Sequence, residues 1–184
     1  MTTYLRILRH PGIAALMTSV LIARLRDIEE GIANYYAAVE PLVASKKLGP
    51  VLWQLPGNFK RDEDRLVETL EQLPPGRHCW EFRHESWFTA DVLEILRQFG
   101  AALVYGDHPE RPWQPLELTT DWTFVRFHYG SRGRRGNYSE TELREWAARL
   151  REVRTSAEVF AYFNNDWECF APRNAKRLRS LLDG

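Results

Sequence analysis

Apolar positions along the chain switch repeatedly between helical and strand periods. From Arg24 to Val43, the residues Leu25, Ile28, Ile32, Tyr35, Val39 and Leu42 recur at helical spacing. Gly49-Pro50 follows, and Val51 to Leu55 is a short apolar run closed by Pro56, which predicts a buried strand. Asp62 opens a second helical pattern through Leu66, Leu70 and Leu73, ended by Pro74-Pro75. Cys79 to His84 is the next strand. Thr89 is placed to cap a helix carrying Val92, Leu93, Leu96 and Phe99, with Gly100 as its stop.

Ala101 to Asp107 is strand-like. His108 to Trp122 is rich in proline and has no helical period, so it is expected to be a loop, yet it is long enough to cross between parallel strands. Thr123 to Tyr129 is the fourth strand, and Gly130 to Tyr138 is a glycine- and arginine-rich loop. Ser139 and Glu142 have capping-box spacing for a helix that buries Leu143, Trp146, Leu150 and Val153. Glu158 to Asn164 is the fifth strand. Pro172 suits the first turn of a last helix with Ala175, Leu178 and Leu182.

Strands alternating with helices imply a parallel sheet covered by helices. An open doubly wound sheet would carry a glycine-rich phosphate turn after a strand. Gly130, Gly133 and Gly136 follow a strand, but their arginine-rich spacing does not fit a dinucleotide fingerprint. The expected fold is therefore α/β, a TIM-type (β/α) barrel.

Alternate residues of a strand share a face. Cys79, Glu81 and Arg83 take one parity, against Trp80, Phe82 and His84. Tyr105 and Asp107 stand against Val104 and Gly106; Arg126 and His128 stand against Val125, Phe127 and Tyr129; Tyr162 and Asn164 stand against Ala161 and Phe163. Gln54 stands alone between Trp53 and Leu55. Polar residues thus collect near the C-terminal strand ends, where barrels build their sites. Glu81, Arg83, Asp107, Arg126, His128 and Asn164 are expected to line a common mouth. The competing reading is a set of satisfied internal pairs, such as Glu81 with Arg126 or Asp107 with Arg83.

Composition changes this picture little. Lys plus Arg and Asp plus Glu are 25 each, so no global field draws the chain to nucleic acid or a lipid surface. Cys79 and Cys169 have no metal-type spacing and imply no disulfide framework, so a reducing, cytoplasmic setting is expected. The apolar run Gly12 to Ala23 is too short to span a bilayer, and it meets Arg24 without a cleavage-type spacer, so neither membrane nor signal peptide is expected.

Several segments resemble a known family when taken in order: Leu48 to Pro56, Glu81 to Trp87, Arg126 to Gly130, Tyr138 to Trp146, and Tyr162 to Asn165. They are similar to the YecE-like family, the domain of unknown function numbered 72. The resemblance covers roughly Arg24 to the end; Arg24-Leu25-Arg26-Asp27 joins the pattern, whereas residues 1–23 look atypical. It implies a TIM-type barrel without an established activity, some members having been likened to nucleases that act on damaged DNA. The family's motif positions fall here on Gln54, Glu81, Arg83, His84, Trp87, Asp107, Arg126, His128, Tyr138, Tyr162, Asn164 and Asn165. It also implies N-terminal strands that this sequence lacks. The expectation is an incomplete barrel of about five parallel strands over 24–184, prone to self-association through exposed edges.

Three chemical readings follow. In the first, a hydrolase or lyase acts on a phosphate- or sugar-containing substrate. Arg83 and Arg126 grip the anion, Glu81 or Asp107 is the base, and His128 is the acid. Trp87 and Tyr162 stack a ring, and Gln54, His84, Tyr138, Asn164 and Asn165 complete the binding set. In the second, Arg132, Arg134 and Arg135 bind nucleic acid or another polyanion without chemistry. In the third, the chain is an inactive fragment. No cofactor is expected. Glu81, Asp107 and His128 could ligate a divalent metal, but Arg83 and Arg126 would repel it.

Overall fold

The computed structural model describes the backbone of residues 3–7, 16–21, 25, 28–112 and 114–184, and the side chains of 25, 28–112 and 114–184. The apolar run Gly12–Ala23 is therefore described only as strand backbone at Leu16–Leu21, and Arg24, Arg26 and Asp27 lie outside the described residues.

The elements run β1 (Thr3–Ile7), β2 (Leu16–Leu21), α1 (Ile28–Ala44), β3 (Leu48–Gln54), α2 (Glu63–Gln72), β4 (His78–Glu81), α3 (Ala90–Gln98), β5 (Ala102–Asp107), β6 (Trp122–Phe127), α4 (Glu140–Val153), β7 (Glu158–Phe163) and α5 (Phe170–Asp183). The five strands β3 to β7 are parallel, as the alternating pattern predicts, and the fold class is α/β, part of a TIM-type barrel. Two further strands were not foreseen. β2 pairs parallel with β3, and β1 pairs antiparallel with β7.

The helix boundaries follow local chemistry. The Asp62 carboxylate accepts from Arg65 N at 3.2 Å to start α2, and the Thr89 hydroxyl accepts from Val92 N at 3.4 Å to start α3. Gly100, at φ +61°, ends α3, while Ala101 N donates to Leu96 O at 2.9 Å. Ser139 and Glu142 form the full capping box of α4.

The chain divides into two compact units. In Ile13–Leu103, the sheet face toward the helices carries Val51, Trp53, Leu55, Trp80, Phe82 and Leu103, packed with Ile28 and Ile32 of α1, Leu66 of α2, and Val92 and Leu96 of α3. Trp53, Trp80, Phe82 and Trp87 form a continuous ring stack, with successive centroids 6.1, 6.3 and 4.8 Å apart. In the other unit, Val104–Gly184 with Met1–Gly12, the helix-side face carries Tyr105, Val125, Phe127, Val159, Ala161 and Phe163 against α4 and α5. Its opposite face carries Phe124 stacked on Tyr162 at 4.5 Å, and Trp122 edge-on to Phe160 at 5.9 Å.

Candidate functional site

In the unit Ile13–Leu103, Gln54 and Glu81 are lateral neighbours at the ends of β3 and β4. They share the face away from the helices, because Trp53 and Trp80 take the other. Glu81 is only 1% exposed, and Arg83 Nε donates to its Oε1 at 3.0 Å. This charge-assisted pair satisfies a carboxylate that would be costly to bury alone.

Other predicted site residues of this unit hold loops. Trp87 is fully buried, stacks on Phe82, and donates from its indole nitrogen to Phe59 O at 2.8 Å. Arg61 N donates to Ser86 Oγ at 2.8 Å. His84 Nδ1 lies 2.9 Å from Ser86 Oγ and accepts from Ser86 N at 3.2 Å. The His84–Trp87 segment thus fastens the loop after β3 to the turn after β4. Trp87 is a core residue rather than a ring-stacking surface.

In the unit containing Val104–Gly184, the ends of β6 and β7 bring three predicted residues together. Arg126 pairs in register with Tyr162, on the face away from the helices. His128 and Asn164 continue the same parity one step beyond their strands. Their backbones are held in the ladder, His128 N to Asp107 O at 3.1 Å and Asn164 N to Phe127 O at 3.0 Å. The Asn164 amide nitrogen lies 3.1 Å from His128 Nδ1. With that amide donating, the neutral ring carries its proton on Nε2. The His108 ring packs against His128 at 5.9 Å. Gly106 is the in-register neighbour of Arg126, and an ideal Cβ there would come 2.3 Å from Gln114 Oε1. The Gln114 side chain therefore occupies the space beside Arg126 that a larger residue on β5 would fill.

Asp107 does not join this set. Its parity is that of Leu103 and Tyr105, so it faces α4, where Trp146 Nε1 donates to its Oδ2 at 2.8 Å. Burial raises its pKa, partly offset by Tyr138 and Trp146. The Tyr138 hydroxyl approaches this carboxylate without a well-aligned hydrogen bond. Burial, with the Asp107 charge beside it, holds the Tyr138 phenol well above its ordinary pKa. Tyr138 is 3% exposed among Phe127 and Phe163, a core position. Tyr162 is also buried, stacked on Phe124.

The glycine- and arginine-rich loop is a folded turn. Glu142 Oε1 accepts from Ser131 N at 2.7 Å, Ser131 Oγ at 3.1 Å and Arg132 N at 3.1 Å, and its Oε2 accepts from Ser139 N at 2.8 Å. Burial pushes the Glu142 pKa up, but these bonds outweigh it and the net shift is downward. An ideal Cβ on Gly133 would sit 1.8 Å from Asn137 O, so the chain closes on itself there. Asn165 Nδ2 donates to Gly136 O and to Asn174 Oδ1, each at 2.9 Å, and Asn174 Nδ2 donates to Asn137 Oδ1 at 2.9 Å. Asn165 is thus a loop anchor with Asn174 as its partner, and the capping residue Glu142 holds the same loop. Of the three arginines, Arg132 pairs with Glu145 and Arg135 with Glu168, while Arg134 is exposed. Two of the three charges are already met by carboxylates, which weakens the polyanion reading.

Among the described residues, no group of three or more His, Cys, Asp or Glu converges as a metal site would require. Among them, too, no helix is long and apolar enough to cross a membrane.

Residues 16–184 match the family described as protein of unknown function DUF72. The match begins at β2, before Arg24, where the sequence pattern was expected to start. A DUF72 family protein from Thermotoga maritima is similar in structure, with a TM-score of 0.78 and 28% identity, covering 86% of this chain and 67% of that one. A DUF72 family protein from Enterococcus faecalis, at 22% identity and a TM-score of 0.73 over 86% of this chain and 67% of that one, shares the fold. No curated protein matches.

Proposed function

The chain belongs to the DUF72 family, and from that premise we propose that it is a hydrolase or lyase acting on a phosphate-bearing substrate at the C-terminal ends of β6 and β7. One observation carries this reading: Arg126, His128 and Asn164 share the face away from the helices, with Asn164 3.1 Å from His128 Nδ1. Arg126 supplies a permanent, planar cation suited to phosphate oxygens. As water adds to phosphorus and the P–O ester bond breaks, His128 in its imidazolium form donates the Nε2 proton to the leaving oxygen, and the proton of the attacking water is released to solvent. Asn164 fixes the ring's direction, its amide nitrogen donating to Nδ1 of the neutral ring and its amide oxygen, after a flip of the amide, accepting from Nδ1–H of the imidazolium.

The test is a turnover screen of the full chain against phosphomonoesters, phosphodiesters and glycosides. At least one phosphate ester should turn over. His128→Gln should lower kcat by about 100-fold or more, and Arg126→Ala should raise KM. Glu81→Gln is scored separately, as a check on the pair it forms with Arg83. No turnover of any phosphate ester by folded protein, or turnover indifferent to His128→Gln, removes the reading.

A further inference from the structure

Trp167 is the most exposed large hydrophobic residue among the described ones, at 61%, followed among these by Tyr129 and Val43 at 46% each. Exposing an indole to this degree forfeits burial that most tryptophans obtain. Its backbone setting is also unusual. Glu168 and Cys169, which follow it, have φ of 51° and 58°, and Arg135, whose guanidinium lies 5.9 Å from the Trp167 ring centroid, has φ 53°. Three non-glycine residues in the left-handed region around one side chain is a concentration of strain of the kind found at binding sites.

Its position is fixed from two sides. Trp167 lies three residues beyond Asn164 on the segment leaving β7, and Tyr129 directly follows His128 on the segment leaving β6. The two segments are joined: Asn165 donates to Gly136 O, and Arg135 pairs with Glu168 at 3.4 Å. Arg135 backs one approach to the indole and leaves the ring largely open to solvent. Two exposed aromatics therefore stand on the segments that begin with His128 and Asn164, the first of them two residues past Arg126.

We propose that Trp167 is a stacking platform for the non-reacting part of the substrate, which is accordingly an organic phosphate bearing a ring. This rests on the reading of Arg126 and His128 as the phosphate end of the same site. An exposed indole stacks on a nucleobase or on the apolar face of a sugar. An aliphatic phosphate gains nothing from it.

The experiment measures equilibrium binding of inorganic phosphate, glycerol phosphate, glucose 6-phosphate and adenosine monophosphate to the full chain, and to its Trp167→Ala, Trp167→Phe and Arg126→Ala variants. The wild type should bind at least one ring-bearing phosphate about tenfold more tightly than glycerol phosphate. Trp167→Ala should erase that margin while leaving inorganic phosphate within about twofold, and Trp167→Phe should restore most of it. A margin for the nucleotide alone identifies a planar base as the ring; a margin for the hexose identifies a sugar face. Arg126-dependent phosphate binding with no ring margin, or with a margin that survives Trp167→Ala, overturns the stacking proposal alone. Absence of Arg126-dependent phosphate binding overturns the phosphate reading and the stacking proposal with it.

Discussion

The Asn164 amide nitrogen stands 3.1 Å from His128 Nδ1, across the ends of two neighbouring parallel strands. Both residues lie just past their strands, yet each is pinned by a backbone ladder bond. A ring held in this way keeps one direction, which a proton-transfer group needs and a surface histidine lacks. Replacing Asn164 by Ala should lower kcat about 10–100-fold with little change in KM. Steady-state kinetics on the best phosphate ester of the screen checks this, and an equal loss in Asn165→Ala would show that loop packing, not His128, was disturbed.

Asp107 gives the opposite expectation. Its carboxyl pKa is raised above the ordinary value, chiefly by burial. An acid shifted upward contributes stability that is present below its unfolded pKa and is lost as pH rises through the folded value. The ionised group is therefore a cost at neutral pH. Asp107→Asn keeps an acceptor for Trp146 and removes that cost, so it should raise stability at pH 7. Because Asp107 faces α4, turnover should be unchanged within about twofold. Denaturant melts and kinetics of the one variant test both statements.

His78 is a buried switch of stability. Its Nδ1 accepts from Trp53 Nε1 at 3.0 Å, and its Nε2 lies 2.8 Å from Pro74 O. Burial lowers its pKa, partly offset by the Pro74 carbonyl. The folded state thus prefers the neutral ring. The stability it contributes is present above the unfolded pKa of about 6.5 and is lost as pH falls through the lowered folded value. Melting temperature should drop between pH 7 and pH 5, and His78→Leu should flatten that drop. At pH 7 the same variant should cost about 1–3 kcal/mol, because the Trp53 indole N–H is left buried without an acceptor.

Glu142 ties the loop Gly130–Tyr138 to the first turn of α4 through backbone amides and serine hydroxyls. An amide cannot accept as many bonds at full strength, so Glu142→Gln should cost about 2 kcal/mol. It should also free the loop backbone, so that trypsin cuts after Arg132, Arg134 and Arg135. Limited proteolysis read by mass spectrometry should show cleavage in this loop, far faster than in the wild type.

Much of the fold is legible in the sequence because its signals are local. Capping at Asp62, Thr89 and Ser139, the stop at Gly100 and the five parallel strands all follow from neighbours within one turn or one strand. Strand parity also sorts Arg126, His128, Tyr162 and Asn164 correctly. It fails to assign Asp107 because β5 alternates apolar residues on both faces: Ala102 and Val104 on one, Leu103 and Tyr105 on the other. Only the register, which sets Gly106 beside Arg126, shows which face is which. The roles of Trp87, Asn165, Arg132 and Arg135 were illegible for a different reason. Their partners, Phe59, Asn174, Glu145 and Glu168, are distant in sequence and become visible only when the chain is folded. One signal was available: Glu142, already identified as a capping residue, has a second carboxylate oxygen that must also be satisfied.

The most direct measurement is a phosphate titration of isotope-labelled protein, following the His128 ring and Arg126 side-chain signals by NMR. Both sets should shift saturably, with the His128 response abolished in Arg126→Ala while the folded spectrum persists. Signals of His128 and Arg126 that stay fixed as phosphate is raised, or shifts that survive Arg126→Ala, would rule out phosphate binding by this pair.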